Sequence, residues 1–179
     1  MKKCLIVIDY QNDFVSGSLG FAKAVELDNR IAQKIKKYHD AGEDVLFTFD
    51  THNTDYLQTR EGHYLPVEHC IKGTDGHELY GKTGENCIVN DRCFEKTTFG
   101  SDTLYEYLKH TPYAQIELIG VVTNICVISN AVLARTAQPE TDILVDASCV
   151  ASNDEVLNEA ALKVMKSLQI DIINERECK

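Results

Sequence analysis

At 179 residues, with 44% hydrophobic and 26% charged side chains, the chain is long enough for one α/β domain with its own core. Its composition is too ordinary for a disordered or fibrous protein. A net charge of −10 argues against a nucleic-acid partner. No apolar run approaches the roughly 20 residues that span a bilayer, so no membrane partner is expected. The apolar stretch Cys4–Ile8 ends at Asp9, short of the about 7–15 residues of a signal-peptide core, and a cytoplasmic protein is expected.

Short apolar runs alternate with helical patterns along the chain. Leu5–Ile8 reads as a buried strand. Leu27, Ile31, Ile35 and Tyr38 then repeat at helical spacing, and Ala41-Gly42 provides a stop. Val45–Phe49 is the second strand. Thr51–Asn86 follows, 36 residues without sustained periodicity but rich in aromatic residues and histidine (Tyr56, His63, Tyr64, His69, Tyr80). A loop of that length in a compact domain is usually functional, and here it reads as the wall of a site. Ile88–Val89 or Cys93–Phe94 supplies a further strand, and Asp102–His110 a short helix. Ile116–Val122, Ile143–Val145 and Ile170–Ile173 complete the strands. Asn124–Ala137 forms one helix between them, and Leu157, Ala161, Val164 and Leu168 mark another, capped at Asn153 or Asp154. This pattern predicts a doubly wound, mostly parallel sheet of about six strands with helices on both faces. Ligands of such sheets bind beyond the carboxyl ends of the strands.

Seven cysteines, Cys4, Cys70, Cys87, Cys93, Cys126, Cys149 and Cys178, include no C-x-x-C pair and are odd in number. A disulfide framework is therefore not indicated, and most read as small buried hydrophobes. Cys149 is expected to be buried and Cys178 to lie at the surface.

The predicted strand ends collect chemistry on one rim. Leu5–Ile8 leads into Asp9, Val45–Phe49 into Asp50-Thr51-His52, and Cys93–Phe94 into Glu95-Lys96. Ile116–Val122 leads into Thr123-Asn124-Ile125-Cys126. Cys126 lies near the start of a helix, where free N–H groups and the helix dipole favour a thiolate. A cysteine nucleophile needs a proton acceptor and a partner to orient it. Asp9 can serve as the base and Lys96 as the charge that holds both groups. Asp50 and His52 share a strand face by their i, i+2 spacing and suit a divalent cation such as zinc. Glu61 and His69 can complete its shell, and spacing leaves His63 and His77 open as alternatives.

These residues also carry a family resemblance. Ile6-Val7-Ile8-Asp9-Tyr10-Gln11-Asn12-Asp13-Phe14 resembles the opening strand of isochorismatase-like cysteine hydrolases, nicotinamidases above all. Gly120-Val121-Val122-Thr123-Asn124-Ile125-Cys126-Val127 is similar to their nucleophile segment and Glu95-Lys96-Thr97-Thr98-Phe99 to their lysine segment. Pro66, His69-Cys70 and Gly73-Thr74-Asp75-Gly76 resemble their metal loop. The resemblance implies a single hydrolase domain over residues 1–179 and a catalytic triad of Asp9, Lys96 and Cys126. It also implies a cis peptide between Val121 and Val122, and an oxyanion hole from the amides of Val122 and Cys126. Zinc, or manganese or iron in its place, would be held by Asp50, His52, Glu61 and His69 and would bind a pyridine nitrogen. Phe14, Gln11 and Leu65 would line the substrate pocket. The implied activity is hydrolysis of nicotinamide to nicotinate and ammonia through a Cys126 thioester, in a homo-oligomer, with a related small-amide amidase as the alternative.

Two departures from the family pattern fall at the ring pocket. Leu65 stands before Pro66 where nicotinamidases often carry an aromatic residue, and two residues, Val67 and Glu68, separate Pro66 from His69 where one is usual. The rival classes fit less well. A phosphoacceptor domain would carry adjacent acids after its first strand, and a D-x-D phosphatase would need an acid at Gln11. A non-catalytic binding protein would have no use for the Asp9, Lys96 and Cys126 set.

Overall fold

Six strands, β1 (Lys3–Ile8), β2 (Asp44–Asp50), β3 (Arg92–Lys96), β4 (Gln115–Val121), β5 (Asp142–Ala151) and β6 (Asp171–Ile173), form one sheet in a computed structural model that describes residues 1–175. Their order is β3-β2-β1-β4-β5-β6 and every pairing is parallel. Cys178 lies outside the described residues. The helices are α1 (Asn12–Val15), α2 (Ala22–Asp40), α3 (Arg60–Tyr64), α4 (Gly81–Glu85), α5 (Asp102–His110), α6 (Ile128–Ala137) and α7 (Glu155–Ser167). Among the described residues no helix is long and apolar enough to cross a membrane.

Alternation along the strands divides the core into two layers. Cys4, Ile6 and Ile8 of β1 pack with Leu104 and Leu108 of α5, Ala131 and Ala134 of α6, and Leu162 and Met165 of α7. Leu5 and Val7 point the other way, onto Leu27, Ile31 and Ile35 of α2. Strands covered on both faces need continuous apolar runs, which is why they are visible in the sequence. Three side chains cap their helices: Thr59 Oγ1 accepts the Gly62 N–H of α3, Ser101 Oγ the Leu104 N–H of α5, and Asp154 Oδ1 the Leu157 N–H of α7. Asp154 thus takes the capping role that Asn153 could also have filled.

The strand order places a topological switch between β1 and β4. The chain winds from β1 outward through β2 and β3, then returns to β4 on the other side of β1, so the loops leaving β1 and β4 diverge and open a crevice. At its floor Gly120 adopts φ +114°, and a Cβ there would come within 2.1 Å of the Ile8 carbonyl oxygen. Only glycine lets β4 close against the end of β1 at this point.

Several boundaries differ from the sequence expectation. Ile88–Val89 is a surface turn, held by the Ile88 N–H on Asp91 Oδ2, and β3 is the segment containing Cys93 and Phe94. The helix after β4 starts with a π-helical turn, Thr123–Val127, before α6. Strand β5 continues well past Val145 to Ala151, with a register shift against β4 between Leu118 and Gly120. Of the cysteines, Cys4, Cys70, Cys126 and Cys149 are buried, whereas Cys87 is half-buried and Cys93 exposed.

One polar network ties α2 to the sheet. Lys34 forms ion pairs with Glu117 of β4 and Asp146 of β5, and the Tyr38 hydroxyl donates to Glu117 at 2.7 Å. Burial disfavours the Lys34 ammonium, but Asp146 and Glu117 outweigh it and hold its pKa above the ordinary lysine value. Burial likewise pushes the Asp146 carboxyl up, and hydrogen bonds from Lys34 and Ser148 bring it below the ordinary range. Lys34→Met should therefore destabilise the fold by about 3 kcal/mol near neutrality, because two buried carboxylates lose their cation. The share carried by Asp146 is present above its unfolded pKa of about 3.9 and disappears as the pH falls through the lower folded value. The share carried by Lys34 is present below about pH 10.4 and disappears as the pH rises through the higher folded value. Urea denaturation of both proteins should show the gap widest between these limits and narrower at either end.

Candidate active site

Three strand ends bring the central charges together. Asp9 follows β1 in the left-handed region, with φ +45°, and is fully buried. Its Oδ1 accepts the Thr48 hydroxyl of β2 at 2.6 Å, and its Oδ2 lies 2.7 Å from the Lys96 ammonium at the end of β3. Lys96 Nζ also lies 3.2 Å from Asp50 Oδ1 and 3.7 Å from Cys126 Sγ. The parallel register that sets Asp50 opposite Lys96 makes this contact a consequence of the sheet itself. Cys126 enters from the switch point, in the π-helical turn after β4, just beyond the cis peptide between Val121 and Val122. Its carbonyl accepts from Asn130 Nδ2 at 2.8 Å. The same amide also reaches the Phe99 carbonyl and the Ser101 N–H, fixing the turn to the loop that follows β3.

Burial is the largest influence on each of these groups. It pushes the Asp9 carboxyl above the ordinary carboxylate value, against the pull of Lys96 and with the help of Asp50. Burial also pushes the Cys126 thiol up, Asp9 adds to that, and Lys96 opposes it. For Lys96 the burial cost is outweighed by Asp9, Cys126 and Asp50, so its pKa rises and the ammonium persists. A free thiolate beside two carboxylates and one ammonium would leave two uncompensated negative charges. Moving the thiol proton onto Asp9 leaves the total charge unchanged, and both groups lie against the same Lys96 ammonium.

A second cluster shares Asp50. His52 Nε2 and His69 Nε2 lie 3.0 and 3.4 Å from Asp50 Oδ2, and Glu61 Oε1 lies 4.0 and 3.8 Å from the same two nitrogens. One ligand atom from each of Asp50, His52, Glu61 and His69 falls within 4.8 Å of all the others. Donors arranged tetrahedrally at about 2.1 Å from an ion sit about 3.4 Å apart, so this set fits a divalent cation with small adjustments. His69 Nδ1 points at the Val67 carbonyl at 2.8 Å, which can only accept, so the proton resides there and Nε2 is free to ligate. Tyr56 packs its ring against both imidazoles, at 4.7 and 4.9 Å between centroids, and its hydroxyl donates to the Leu65 carbonyl. His77 lies outside the cluster, its Nε2 2.8 Å from the Thr51 hydroxyl, and His63 is exposed on α3.

The segment after β1 clamps this loop in place. Asn12 Nδ2 donates to the Asp75 carbonyl, and Asp13 Oδ2 accepts the Cys70 N–H at 2.8 Å, next to His69. Gly76 passes so close that a Cβ would lie 2.0 Å from Asp13 Oδ2. Gln11 differs from its expected place in the substrate pocket. It is fully buried, its Nε2 donates to the Asp50 and His77 carbonyls, and its Oε1 accepts the Asp50 N–H at 2.8 Å. Its amide is consumed by backbone, so it holds the cluster rather than touching a ligand. Phe14 is half-buried and tilted against His69, with centroids 5.3 Å apart, while Leu65 is 37% exposed at the edge of the loop. Thr48 and Asn130 are contacting residues that sequence reasoning did not single out, and Tyr56 enters it only as one of the aromatic residues of the site's wall.

Comparison with known proteins matches this architecture to one family. The isochorismatase domain model covers residues 3–177, and the chain belongs to that family. It is 34% identical over 143 residues to the uncharacterized isochorismatase family protein PncA of Bacillus subtilis strain 168, covering 74% of this chain and 78% of that protein. It is 26% identical over 216 residues to the nicotinamidase of Saccharomyces cerevisiae, covering 96% and 98% of the two chains. The crystal structure of the nicotinamidase/pyrazinamidase PncA from Bacillus subtilis superposes with a TM-score of 0.85 at 30% identity, covering 96% of this chain and 99% of the other.

The Gln11 clamp makes a direct prediction. Gln11→Leu removes every partner its amide supplies to Asp50 and His77, and should lower stability by about 3 kcal/mol in urea denaturation, since buried backbone groups are left unsatisfied. A change below about 0.5 kcal/mol would show that the clamp is dispensable.

Proposed function

We propose that this chain is a nicotinamidase-like cysteine amidohydrolase, a single hydrolase domain that converts a pyridine carboxamide to the carboxylate and ammonia. The observation that carries the reading is the buried ammonium of Lys96, in reach of Asp9, Asp50 and Cys126 at once. The nicotinamidases among its relatives support the reaction class.

In this mechanism Asp9 takes the Cys126 proton as Sγ attacks the amide carbonyl carbon. The amides of Val122 and Cys126 donate to the developing oxyanion, a contribution worth about 3–4 kcal/mol per donor. Asp9 returns the proton to the amide nitrogen, ammonia leaves, and the acyl group remains on Cys126 as a thioester. Asp9 then takes a proton from water as the water attacks the thioester and passes it to Cys126 Sγ as the C–S bond breaks, and the acid product loses its remaining proton to solvent and departs as the carboxylate. Lys96 stays protonated throughout and holds Asp9 against Cys126. A zinc ion, or manganese or iron in its place, would be held by Asp50, His52, Glu61 and His69 and would offer a ligand position to the ring nitrogen. Phe14 and Leu65 border the space for the ring. The same reading includes a cytoplasmic location and, on the strength of the family resemblance alone, a homo-oligomer.

Purified protein loaded with zinc should release ammonia from nicotinamide, and Cys126→Ala should reduce the rate by about 10⁴-fold or more. His52→Ala should lose stoichiometric zinc in equilibrium dialysis and lose turnover with it. Hydrolysis of other amides that depends on Cys126, with nicotinamide inert, would instead favour the related-amidase reading, to which Leu65 and the Val67-Glu68 spacing point. No hydrolysis by a folded, metal-loaded protein would refute the enzyme.

A further inference from the structure

Thr48 carries a hydroxyl into an apolar part of the sheet. It lies in the middle of β2, fully buried, in register with Ile8 of β1 and Phe94 of β3. By strand alternation it shares a face with Leu46, and Leu46, Ile8 and Phe94 all belong to the apolar layer beneath α5, α6 and α7. A valine has the same shape, and a buried hydroxyl is costly unless it is hydrogen-bonded. Both hydrogen bonds of this hydroxyl go to one residue. Thr48 Oγ1 accepts the Asp9 N–H at 3.2 Å and donates to Asp9 Oδ1 at 2.6 Å. An N–H cannot accept, so the hydroxyl proton is directed to Oδ1. The first bond holds the Asp9 backbone at φ +45°, in the left-handed region that few residues other than glycine adopt. The second engages Oδ1 with β2. That leaves Oδ2, which lies 2.7 Å from the Lys96 ammonium and, among the described residues, has no further hydrogen-bond partner. Cys126 Sγ lies 3.7 Å from the same ammonium.

We propose that Thr48 is a positioning residue that selects Oδ2 of Asp9 as the atom receiving the Cys126 proton. The inference rests on the reading of Asp9 as the base for a Cys126 nucleophile. In the attack step a sulfur electron pair forms the bond to the amide carbonyl carbon, and the carbonyl π pair moves to oxygen. The S–H bond breaks and its proton passes to Oδ2. Oδ2 then delivers that proton to the departing nitrogen, while Oδ1 stays bound to Thr48. Without the hydroxyl, either carboxylate oxygen can turn towards Lys96, and the Asp9 N–H and Oδ1 both lose their partner. The expected signature is a slower chemical step with unaltered ring binding. Both Thr48 bonds go to Asp9, and neither goes to Phe14 or Leu65, which border the ring.

The test compares the zinc-loaded wild-type chain with Thr48→Val and Thr48→Ser, by kcat and KM for nicotinamide and by the rate of Cys126 alkylation with iodoacetamide at one neutral pH. Thr48→Val should lower kcat by about 10²-fold, the order that a small misplacement of a reacting group costs, with KM changed by less than about twofold. Thr48→Ser keeps the hydroxyl and should restore kcat to within about threefold of wild type. Cys126 alkylation should fall and recover in the same order, because it needs the same proton transfer. Thr48→Cys, whose thiol is only a weak donor, replaces Thr48→Val if that variant does not fold, with the same loss expected. Wild-type kcat in the folded valine or cysteine variant would overturn the proposal. So would a serine variant as impaired as the valine one, or a rise in KM with kcat unchanged. If nicotinamide is inert with the wild-type protein, the proposed function fails and the alkylation series decides alone. Equal rates in wild type and Thr48→Val then overturn the role of Thr48, and slowing that Thr48→Ser reverses supports it.

Discussion

The buried ammonium of Lys96 is the charge around which the site is arranged. Only 4% of the residue is exposed, and an isolated ammonium at such a position costs several kcal/mol. Carboxylates at 2.7 and 3.2 Å offset that cost, and they come from the ends of two other strands. Asp9, Asp50 and Lys96 stand at the ends of β1, β2 and β3, which are neighbours only because the chain winds outward in that order. Cys126 reaches the same ammonium from β4, on the other side of β1. Topology therefore determines which charges meet, and the charges in turn fasten the strand ends.

Asp50 links two clusters through its two oxygens. Oδ1 faces Lys96 and the nucleophile, and Oδ2 faces His52 and His69. Burial would push this carboxyl up, but hydrogen bonds from the two histidines and the Lys96 charge bring it well below the ordinary range. Asp50 thus remains a carboxylate, able to serve both neighbours. The loop that supplies His69 is held by Asp13 and Asn12, and Asp50 itself by Gln11, so a short segment after β1 organises both halves of the crevice.

How much of this was legible follows from which contacts are local. Strands β1, β2 and β4 announce themselves because both faces are buried, and the residues that follow them mark the rim. The Asp50 and His52 pair is readable from strand periodicity, and family resemblance picks His69 over His77. Gln11 misleads because a polar residue beside Asp9 looks like a ligand contact, whereas its partners are backbone groups of segments 39 and 66 positions away. Thr48 reads as an ordinary β-branched strand residue, and its bond to Asp9 exists only once β1 and β2 pair. Asn130 is hidden for the same reason. The π-helical turn carries no local signal, because its residues are those of a normal helix start.

The most direct test of the Lys96 arrangement is the pH dependence of Cys126 alkylation by iodoacetamide, followed at the Cys126 peptide by mass spectrometry in wild-type protein and Lys96→Met. The ammonium opposes the effects of burial and Asp9 on the thiol, so its removal should move the onset of alkylation to higher pH. Coincident profiles in two folded proteins would show that Lys96 does not govern the nucleophile, and would contradict the account.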